Sequence, residues 1–357
     1  MTDRTTGRTT GRTTGRTRGR WSRRALLAAA GLAAWLGAGL GSATAADQVT
    51  VGALRFTSHA PSFIAYERGY FRDEGLEVEL KFFQAAQPIA VAIASGDIDF
   101  GVTALTGGFY SLADKGAVKV VGGLYAEKPG VPGMAILASN QAWEAGLKSP
   151  ADLKGRSWAM TQQGSSFHYV AGMIAERNGF ALSDMSLKAL QKVPSMIGAV
   201  KSGQVDAMAM VPHVAVPLEN SGAARIIGWV RDLGPYLVTS IFTSTRNVEE
   251  RREMVERFLR AYARGIEDYR AAFLDPEADQ ATVDGVIDVI HKHVYTDQPR
   301  EKAAPSILAG AVHMNEGAAL DVANIAEQLA WYQAQGLAPE GLAVEDFVDT
   351  GFVATTE

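Results

Sequence analysis

Three turns of the sequence place small hydroxyl and glycine residues where a helix is expected to begin. They are Thr57-Ser58-His59, Thr103-Ala104-Leu105-Thr106-Gly107-Gly108 and Gly164-Ser165-Ser166. The first turn of a helix leaves backbone N–H groups without partners and carries about half a positive charge. Hydroxyl groups at such positions form an uncharged cradle that suits an oxyanion. One such turn is more often a helix cap that binds nothing, but three at equivalent places favour a binding site.

The six histidines raise the alternative of a metal site. His59, His168 and His213 fall on turns of this kind, and imidazole is a common zinc ligand. The turns contain no close histidine pair, however, and the chain has no cysteine. We therefore predict neither a metal nor another cofactor. A hydrogen bond from His59 or His213 to an anionic ligand is the favoured interpretation, since imidazole titrates near neutral pH.

Residue patterns typical of catalysis are weaker than the pattern of polar turns typical of ligand binding. The segment Gly164-Ser165-Ser166 lacks the spacing of a Gly-x-Ser-x-Gly nucleophile turn. Asp97 and Asp99 lie at the start of a predicted strand, where a structural role is expected rather than the paired-carboxylate chemistry of a glycosidase. We therefore predict that the protein is not an enzyme and keep catalysis as the less favoured alternative.

The elements that must position the polar turns follow from an alternation of short apolar runs with helical patterns, which is typical of βαβ units. A first set of strands is predicted at 49–54, 76–82, 98–102 and 118–124. The pattern then starts again, with strands at 134–138, 157–161, 186–190, 205–210 and 225–229 and a return strand at 238–243. Helices with an apolar face are predicted at 248–273, 281–293 and 322–335. Because ligands of open α/β sheets bind at the carboxyl ends of strands, the three turns are expected to face one site.

An ordered set of motifs resembles a known family. The motifs are Pro61-Ser62-Phe63-Ile64-Ala65-Tyr66-Glu67-Arg68-Gly69-Tyr70-Phe71, Glu74-Gly75-Leu76-Glu77-Val78, Ser95-Gly96-Asp97-Ile98-Asp99-Phe100-Gly101, Leu153-Lys154-Gly155-Arg156 and Val200-Lys201-Ser202-Gly203-Gln204-Val205-Asp206-Ala207. Over about residues 49–245 the chain is similar to the periplasmic substrate-binding proteins for nitrate, taurine, aliphatic sulfonates and thiamine pyrimidine precursors. The resemblance implies an α/β, two-lobed periplasmic binding protein fold of type II, with a mixed, mostly parallel sheet flanked by helices in each lobe and a helical C-terminal tail. Such a protein closes over a small ligand and presents it to the membrane permease of an ABC transporter.

The resemblance also implies which residues contact the ligand. They are Ser58 and His59 after the first strand, Ala85, Ala86 and Gln87 after the second, Thr103, Ala104 and Thr106 after the third, and Gly164, Ser165 and Ser166 in the second lobe. Relatives often have a Trp or Glu just before the proline of a later motif. This chain has Val211 before Pro212 and His213 after it, so His213 joins the predicted contacts as a replacement.

Charge separates the N-terminal segment from the rest. Residues 1–45 hold eight of the 34 basic residues and one of the 39 acidic residues, which leaves the remainder at a net charge of −12. A net charge of −12 over residues 46–357 argues against nucleic-acid binding, which needs a basic face. The segment passes from an Arg-Thr-Thr-Gly repeat through Ser22-Arg23-Arg24 to an apolar run and small residues ending at Ala45. This order predicts an export signal of the twin-arginine type, and an uncleaved membrane anchor is the alternative.

These observations define the expected organisation. Residues 1–45 are the signal, 48–134 and 240–357 the first lobe, and 135–239 the second, with hinges near 133–135 and 238–240. Since a lipid anchor needs a cysteine and the chain has none, we expect a monomer that is soluble in the periplasm and not a lipoprotein.

The expected ligand is a small organic anion, a sulfonate such as taurine or an alkanesulfonate first and a carboxylate second. Nitrate and a nitrogen heterocycle such as a thiamine pyrimidine precursor are the alternatives. Five aromatic residues lie near the polar turns: Phe63, Phe109, Tyr110, Phe167 and Tyr236. If two or more line the site, an organic ligand is favoured over nitrate, because buried apolar surface contributes roughly 25 cal/mol per Å².

Overall fold

The structure, a computed structural model, describes residues 46–356. The predicted export signal at 1–45 lies outside the described residues. Across 46–356, no helix combines the length and the apolar character needed to cross a membrane.

The first lobe is built around a five-stranded sheet. Its strands are β1 (Asp47–Leu54), β2 (Leu76–Phe83), β3 (Phe100–Thr103), β4 (Val118–Gly123) and β12 (Ser240–Ser244). The spatial order is β2-β1-β3-β12-β4. The edge strand β2 alternates between buried Leu76 and Val78 and exposed Glu77 and Glu79, as expected for a strand with one face in solvent. β1 pairs in parallel with β2 and β3, whereas β12 runs antiparallel to β3 and β4 because the chain returns from the second lobe.

Short helices follow the strands of the first lobe. They are α1 (Ala60–Glu67), α2 (Tyr70–Asp73), α3 (Gln87–Ala94) and α4 (Gly107–Asp114). Pro61 lies in the first turn of α1, where its missing N–H costs nothing. Gly69, with a φ of 77°, separates α1 from α2 and gives the left-handed conformation that glycine adopts without strain.

The second lobe repeats the arrangement around another five-stranded sheet. Its strands are β6 (Ala135–Ala138), β7 (Ser157–Met160), β8 (Ser186–Ala189), β9 (Ala207–Met210) and β10 (Arg225–Trp229), in the order β10-β6-β9-β7-β8. Its helices are α5 (Asn140–Glu144), α6 (Ser166–Arg177), α7 (Val193–Lys201) and α8 (Pro212–Asn220). β7 pairs in parallel with β8 and β9, and β6 is antiparallel to β9 and β10.

The chain passes between the lobes twice, and the two passages pair with each other. β5 (Ala126–Glu127) leads out of the first lobe, and β11 (Tyr236–Leu237) leads back into it. They form a two-stranded antiparallel sheet with Tyr236 opposite Glu127. We call this pair the crossing ribbon.

Five helices form the C-terminal region: α9 (Thr245–Glu250), α10 (Arg252–Phe273), α11 (Gln280–His291), α12 (Arg300–Ala309) and α13 (Val322–Ala334). α10 packs on α1 where Gly265 meets Pro61, since a Cβ at Gly265 would lie 2.5 Å from the Pro61 carbonyl oxygen. Phe258 of α10 stacks on Phe100 of the first sheet, with ring centroids 3.8 Å apart. The long helix is therefore part of the first lobe's core.

The predicted two-lobed α/β architecture with a helical C-terminal tail is confirmed, but the prediction of one helix over 248–273 was wrong. Arg251 breaks it with φ −131° and ψ 35°, and its guanidinium pairs with Asp99 at 3.0 Å. Asp99 also accepts a hydrogen bond from the Thr50 N–H at 2.9 Å. Asp99 thus joins β1 to the start of the C-terminal region.

Candidate functional site

A cavity of about 40 Å³ lies between the two lobes beside the crossing ribbon. Its lining combines the carboxyl ends of β1, β3 and β7, the starts of α6 and α7, and the segment between β11 and β12. The sixteen lining residues are Leu54, Phe56, Ser58, His59, Ala85, Ala86, Thr103, Ala104, Met134, Thr161, Ser166, Phe167, Val193, Val211, Val238 and Thr239. Residues of both lobes line this space, so a solute of several carbon atoms can enter only when the lobes move apart.

The polar part of the lining consists of five hydroxyl groups and one imidazole. These belong to Ser58, His59, Thr103, Thr161, Ser166 and Thr239, all at most 7% exposed. The Ser166 side chain lies near the Tyr236 hydroxyl and opposes the rise that burial causes in the pKa of Tyr236. Among the described residues, no hydrogen bond satisfies the hydroxyls of Ser58, Thr103, Thr161 or Thr239. Each hydroxyl can donate and accept, so the cavity offers several free hydrogen-bonding groups.

His59 presents one nitrogen to the cavity and uses the other within its own loop. The Leu54 N–H donates to its Nδ1 at 3.4 Å, which places the ring hydrogen on Nε2. Burial lowers the pKa of His59 to about 3. The ring is therefore a neutral hydrogen-bond donor at neutral pH rather than a positive charge.

The rest of the lining is apolar and uncharged. Ten of the sixteen residues are apolar, and none is Lys, Arg, Asp or Glu. Of the five aromatic residues considered from the sequence, Phe167 lines the cavity and Tyr236 contacts it through Ser166. Phe63, Phe109 and Tyr110 are fully buried outside the lining. Phe56, which the sequence did not single out, supplies the second aromatic ring of the wall.

Two hydroxyl residues of the predicted turns cap their own helices, and the backbone beside them joins the two lobes. Thr106 caps α4 by accepting from the Phe109 N–H at 3.2 Å, and Ser165 caps α6 by accepting from the His168 N–H at 3.4 Å. The Gly107 N–H donates to the Gly164 carbonyl at 2.9 Å. The lining therefore does not include Thr106, Gly164 or Ser165.

Two further predicted contacts also lie outside the lining. Gln87 begins α3 and packs against Gly108, where a Cβ would lie 2.7 Å from the Gln87 Cδ. His213 is 1% exposed and forms a hydrogen bond of 3.0 Å between its Nδ1 and the Thr57 Oγ1. Of the twelve residues predicted as contacts, seven line the cavity: Ser58, His59, Ala85, Ala86, Thr103, Ala104 and Ser166.

Several lining residues were missed by sequence reasoning. Thr161 directly follows β7 and could have been found from the rule that ligands bind beyond the carboxyl ends of strands. Thr239 and Val238 belong to the return passage and carry no motif. Val211, the position where relatives often have Trp or Glu, does line the cavity, but with an aliphatic side chain.

His168, the third histidine predicted to lie on a turn, contacts other residues of the fold. The Gly164 N–H donates to His168 Nδ1 at 3.1 Å, and the ring lies edge-on to Trp331. Within the described part of the chain, no group of three or more His, Cys, Asp or Glu side chains could hold a metal ion. The arrangement is suited to hold a small molecule by neutral hydrogen bonds and apolar contact.

Comparison with known proteins gives one family match. A family profile described as NMT1/THI5 like matches residues 56–278, more than half of the chain. No curated protein sequence matches the chain.

Three solved structures illustrate the range of proteins with this fold. The alkanesulfonate-binding protein SsuA from Xanthomonas axonopodis pv. citri bound to MOPS has a TM-score of 0.67 and 21% identity, covering 85% of this chain and 98% of its own. The periplasmic nitrate-binding protein NrtA from Synechocystis PCC 6803 has a TM-score of 0.66 and 14% identity, covering 84% and 86%. The desulfurization enzyme DSZB has a TM-score of 0.56 and 13% identity, covering 86% and 97%. At these identities the likeness shows the periplasmic binding protein fold alone.

Proposed function

The chain belongs to the NMT1/THI5-like family, and from this premise we propose that it is the periplasmic solute-binding component of an ABC importer. The observation that carries the proposal is a buried cavity between two lobes, lined by free hydroxyl groups and an apolar wall without a charged residue. Two sheets joined by a two-stranded ribbon are suited to open and close around such a cavity. The partners are the solute and the membrane permease, and the protein acts as a monomer.

The first candidate for the solute is a small organic anion, a sulfonate before a carboxylate. The hydroxyls of Ser58, Thr103, Thr161 and Thr239 and the Nε2–H of His59 can all donate to oxyanion oxygens. Residues 46–357 carry a net charge of −12, so the overall field opposes the approach of an anion. Affinity for an anion must then come from short-range hydrogen bonds inside the closed cavity.

The second candidate is an uncharged nitrogen heterocycle. It is favoured by the absence of any Lys or Arg from the lining and by the neutrality of His59. Both candidates use the apolar wall formed by ten residues that include Phe56 and Phe167. Nitrate gains nothing from that wall, so it is the least favoured ligand.

The export signal expected at 1–45 supports a location in the periplasm. We place the protein there without a lipid anchor because the chain has no cysteine to carry one. Catalysis remains the competing class because a desulfurization enzyme shares the fold. The lining holds no carboxylate, lysine or cysteine, and its hydroxyl and imidazole groups suit hydrogen bonding to a solute, which supports binding.

Thermal unfolding with a panel of solutes tests the proposal. The panel contains taurine, an alkanesulfonate, a short carboxylate, nitrate, an aminopyrimidine and zinc chloride. A solute at one hundred times its Kd stabilises the folded state by about 2.7 kcal/mol, so we expect Tm to rise by about 5 °C with one organic compound. A shift with zinc alone would support the metal alternative, and turnover of any compound would support an enzyme.

A further inference from the structure

His213 is buried at the boundary between the lobes although it does not line the cavity. It lies in the first turn of α8 in the second lobe, two residues after the lining residue Val211. Its Nδ1 is 3.0 Å from the Oγ1 of Thr57 in the first lobe. Its ring also meets the ring of Phe56 edge-on, with centroids 5.3 Å apart. One side chain of the second lobe therefore contacts the loop that follows β1 in the first lobe.

Residues of the C-terminal region also surround this side chain. We call Phe56, Thr57, Tyr295 and Gly310 the socket of His213. The Tyr295 hydroxyl donates to the His213 carbonyl oxygen at 2.7 Å. Thr57 Oγ1 lies 3.3 Å from the Gly310 carbonyl oxygen. A Cβ at Gly310 would lie 2.2 Å from Thr57 Oγ1 and 2.7 Å from His213 Cβ. Only glycine leaves room at this position for the two lobes to meet.

The socket holds His213 as a neutral ring. Burial, and then repulsion from the His59 ring when that ring is also protonated, lower the pKa of His213 to about 3. The titratable groups around the ring are His59 on the loop after β1 and Tyr295 on the C-terminal region. Neither can carry a negative charge near neutral pH to stabilise an imidazolium. A protonated His213 is therefore poorly accommodated while the lobes are in contact.

We propose that Thr57 and His213 form a latch that holds the lobes together over the cavity. His213 is thereby a positioning residue for solute retention, which acts through lobe closure and not by touching the solute. The solute part of this inference rests on the proposed function, whereas the latch itself does not. The latch predicts that closure weakens in acid, because opening frees His213 to take up a proton.

Because the chain has no cysteine, dyes can be attached at introduced cysteines alone, and lobe closure can then be measured. Asp114→Cys at the end of α4 and Lys201→Cys at the end of α7 place one dye on each lobe at exposed positions. Single-molecule energy transfer then reports the ratio of closed to open molecules without any added solute. We expect His213→Ala and Thr57→Val each to lower this ratio about tenfold relative to the labelled parent.

A double-mutant cycle separates the latch from a general loss of structure. If the two side chains act through each other, the His213→Ala/Thr57→Val double variant should lower the ratio little more than either single variant. Thr50→Val on β1, which changes a threonine within the first lobe, is the matched control and should leave the ratio unchanged. Additive effects, or a ratio unaffected by His213→Ala, would overturn the latch.

The pH dependence of the closed-to-open ratio distinguishes the latch from a purely structural role of His213. Proton uptake by His213 alone should lower the closed-to-open ratio of the parent about tenfold per pH unit below pH 6.5. His213→Asn keeps a hydrogen-bonding group near the position of Nδ1 and should restore closure at pH 7.5 while removing this tenfold contribution to the acid sensitivity. The remaining sensitivity would belong to His59, whose pKa burial also lowers to about 3. An unchanged acid response in His213→Asn would contradict the proposal.

The two proposals fail separately. If the latch does not act, His213→Ala will leave the closed-to-open ratio unchanged in the energy-transfer measurement without solute. If the protein binds no solute, the thermal-unfolding panel will show no shift, and the energy-transfer result will be unaffected.

Discussion

At the scale of single residues, the Glu127 carboxyl group is buried inside the crossing ribbon at 4% exposure. The Tyr125 hydroxyl and the Met134 N–H both donate to its Oε1. Its Oε2 has no partner among the described residues and packs against Gly133, where a Cβ would lie 2.1 Å away. Burial raises the pKa of Glu127 to about 7 against those hydrogen bonds and the charge of Arg231.

This raised pKa makes the stability depend on pH. Between pH 4.5 and 7 the folded state binds more protons than the unfolded state, so the free energy of unfolding falls as pH rises. From pH 5 to pH 8 the loss due to Glu127 should be roughly 2 to 3 kcal/mol. Glu127→Gln should remove this part of the dependence, as measured by urea unfolding at several pH values.

Glu277→Gln is the matched control because it removes an exposed carboxylate. It should leave the pH dependence of the wild-type protein in place. Equal slopes for Glu127→Gln and the wild type would show that the Glu127 carboxyl group has an ordinary pKa in the fold.

The sequence indicated some site residues and not others for physical reasons. Ser58, His59 and Thr103 were found because they stand directly after strands in recognisable turns. Thr106 and Ser165 had the same local pattern, yet each is used as a helix cap. A local sequence cannot distinguish these uses, because the choice depends on which lobe surface faces the hydroxyl.

At the scale of elements, α13 is bound to the crossing ribbon through buried amides. The Leu237 N–H donates to Asn324 Oδ1 at 2.7 Å, and Asn324 Nδ2 donates to the Pro235 carbonyl at 3.0 Å. The Gln328 amide donates to the Leu237 carbonyl at 3.1 Å. Tyr332 of the same helix reaches the Ser165 carbonyl at 3.2 Å in the second lobe. α13 therefore supports the crossing ribbon.

Asn324→Ala should test this support. The change removes both hydrogen bonds of the Asn324 amide to residues 235 and 237 and leaves the buried Leu237 N–H without a partner. We therefore expect a loss of about 2 to 3 kcal/mol in the free energy of unfolding by urea titration. Gln335→Ala, at an exposed position just after the helix, is the control and should change the stability by less than about 0.5 kcal/mol. A similarly small change in Asn324→Ala would mean that α13 does not hold the ribbon.

Some helices and strands of the structure were not predicted from the sequence. In each of them the pattern of apolar residues is either very short or interrupted by a proline. α8 and α12 contain Pro217 and Pro305 in their interiors, and an internal proline argues against a helix. β5 and β11 are two residues each, which is too short for an alternation to be visible. Strands with a clear alternation, such as β2, were predicted to within a residue.

At the scale of the whole molecule, the repeated strand pattern was sufficient to predict two α/β lobes, and the fold comparisons confirm that architecture. How closely the lobes meet was not predictable, because their contacts join residues far apart in sequence. The Gly107 N–H bonds to Gly164 and the Val193 N–H bonds to the Gln84 carbonyl. These contacts determine which predicted residues reach the cavity.

The central claim is that a small organic solute binds in the cavity between the lobes. Isothermal titration calorimetry of the compound with the largest thermal shift tests it most directly, using the wild type and Ala104→Leu. The larger side chain fills the lining at Ala104, so we expect one solute per wild-type chain and binding about tenfold weaker or worse in the variant. Ala281→Leu on the exposed side of α11 should bind like the wild type. Equal affinity of Ala104→Leu and the wild type, or no binding of any organic compound, would contradict the claim.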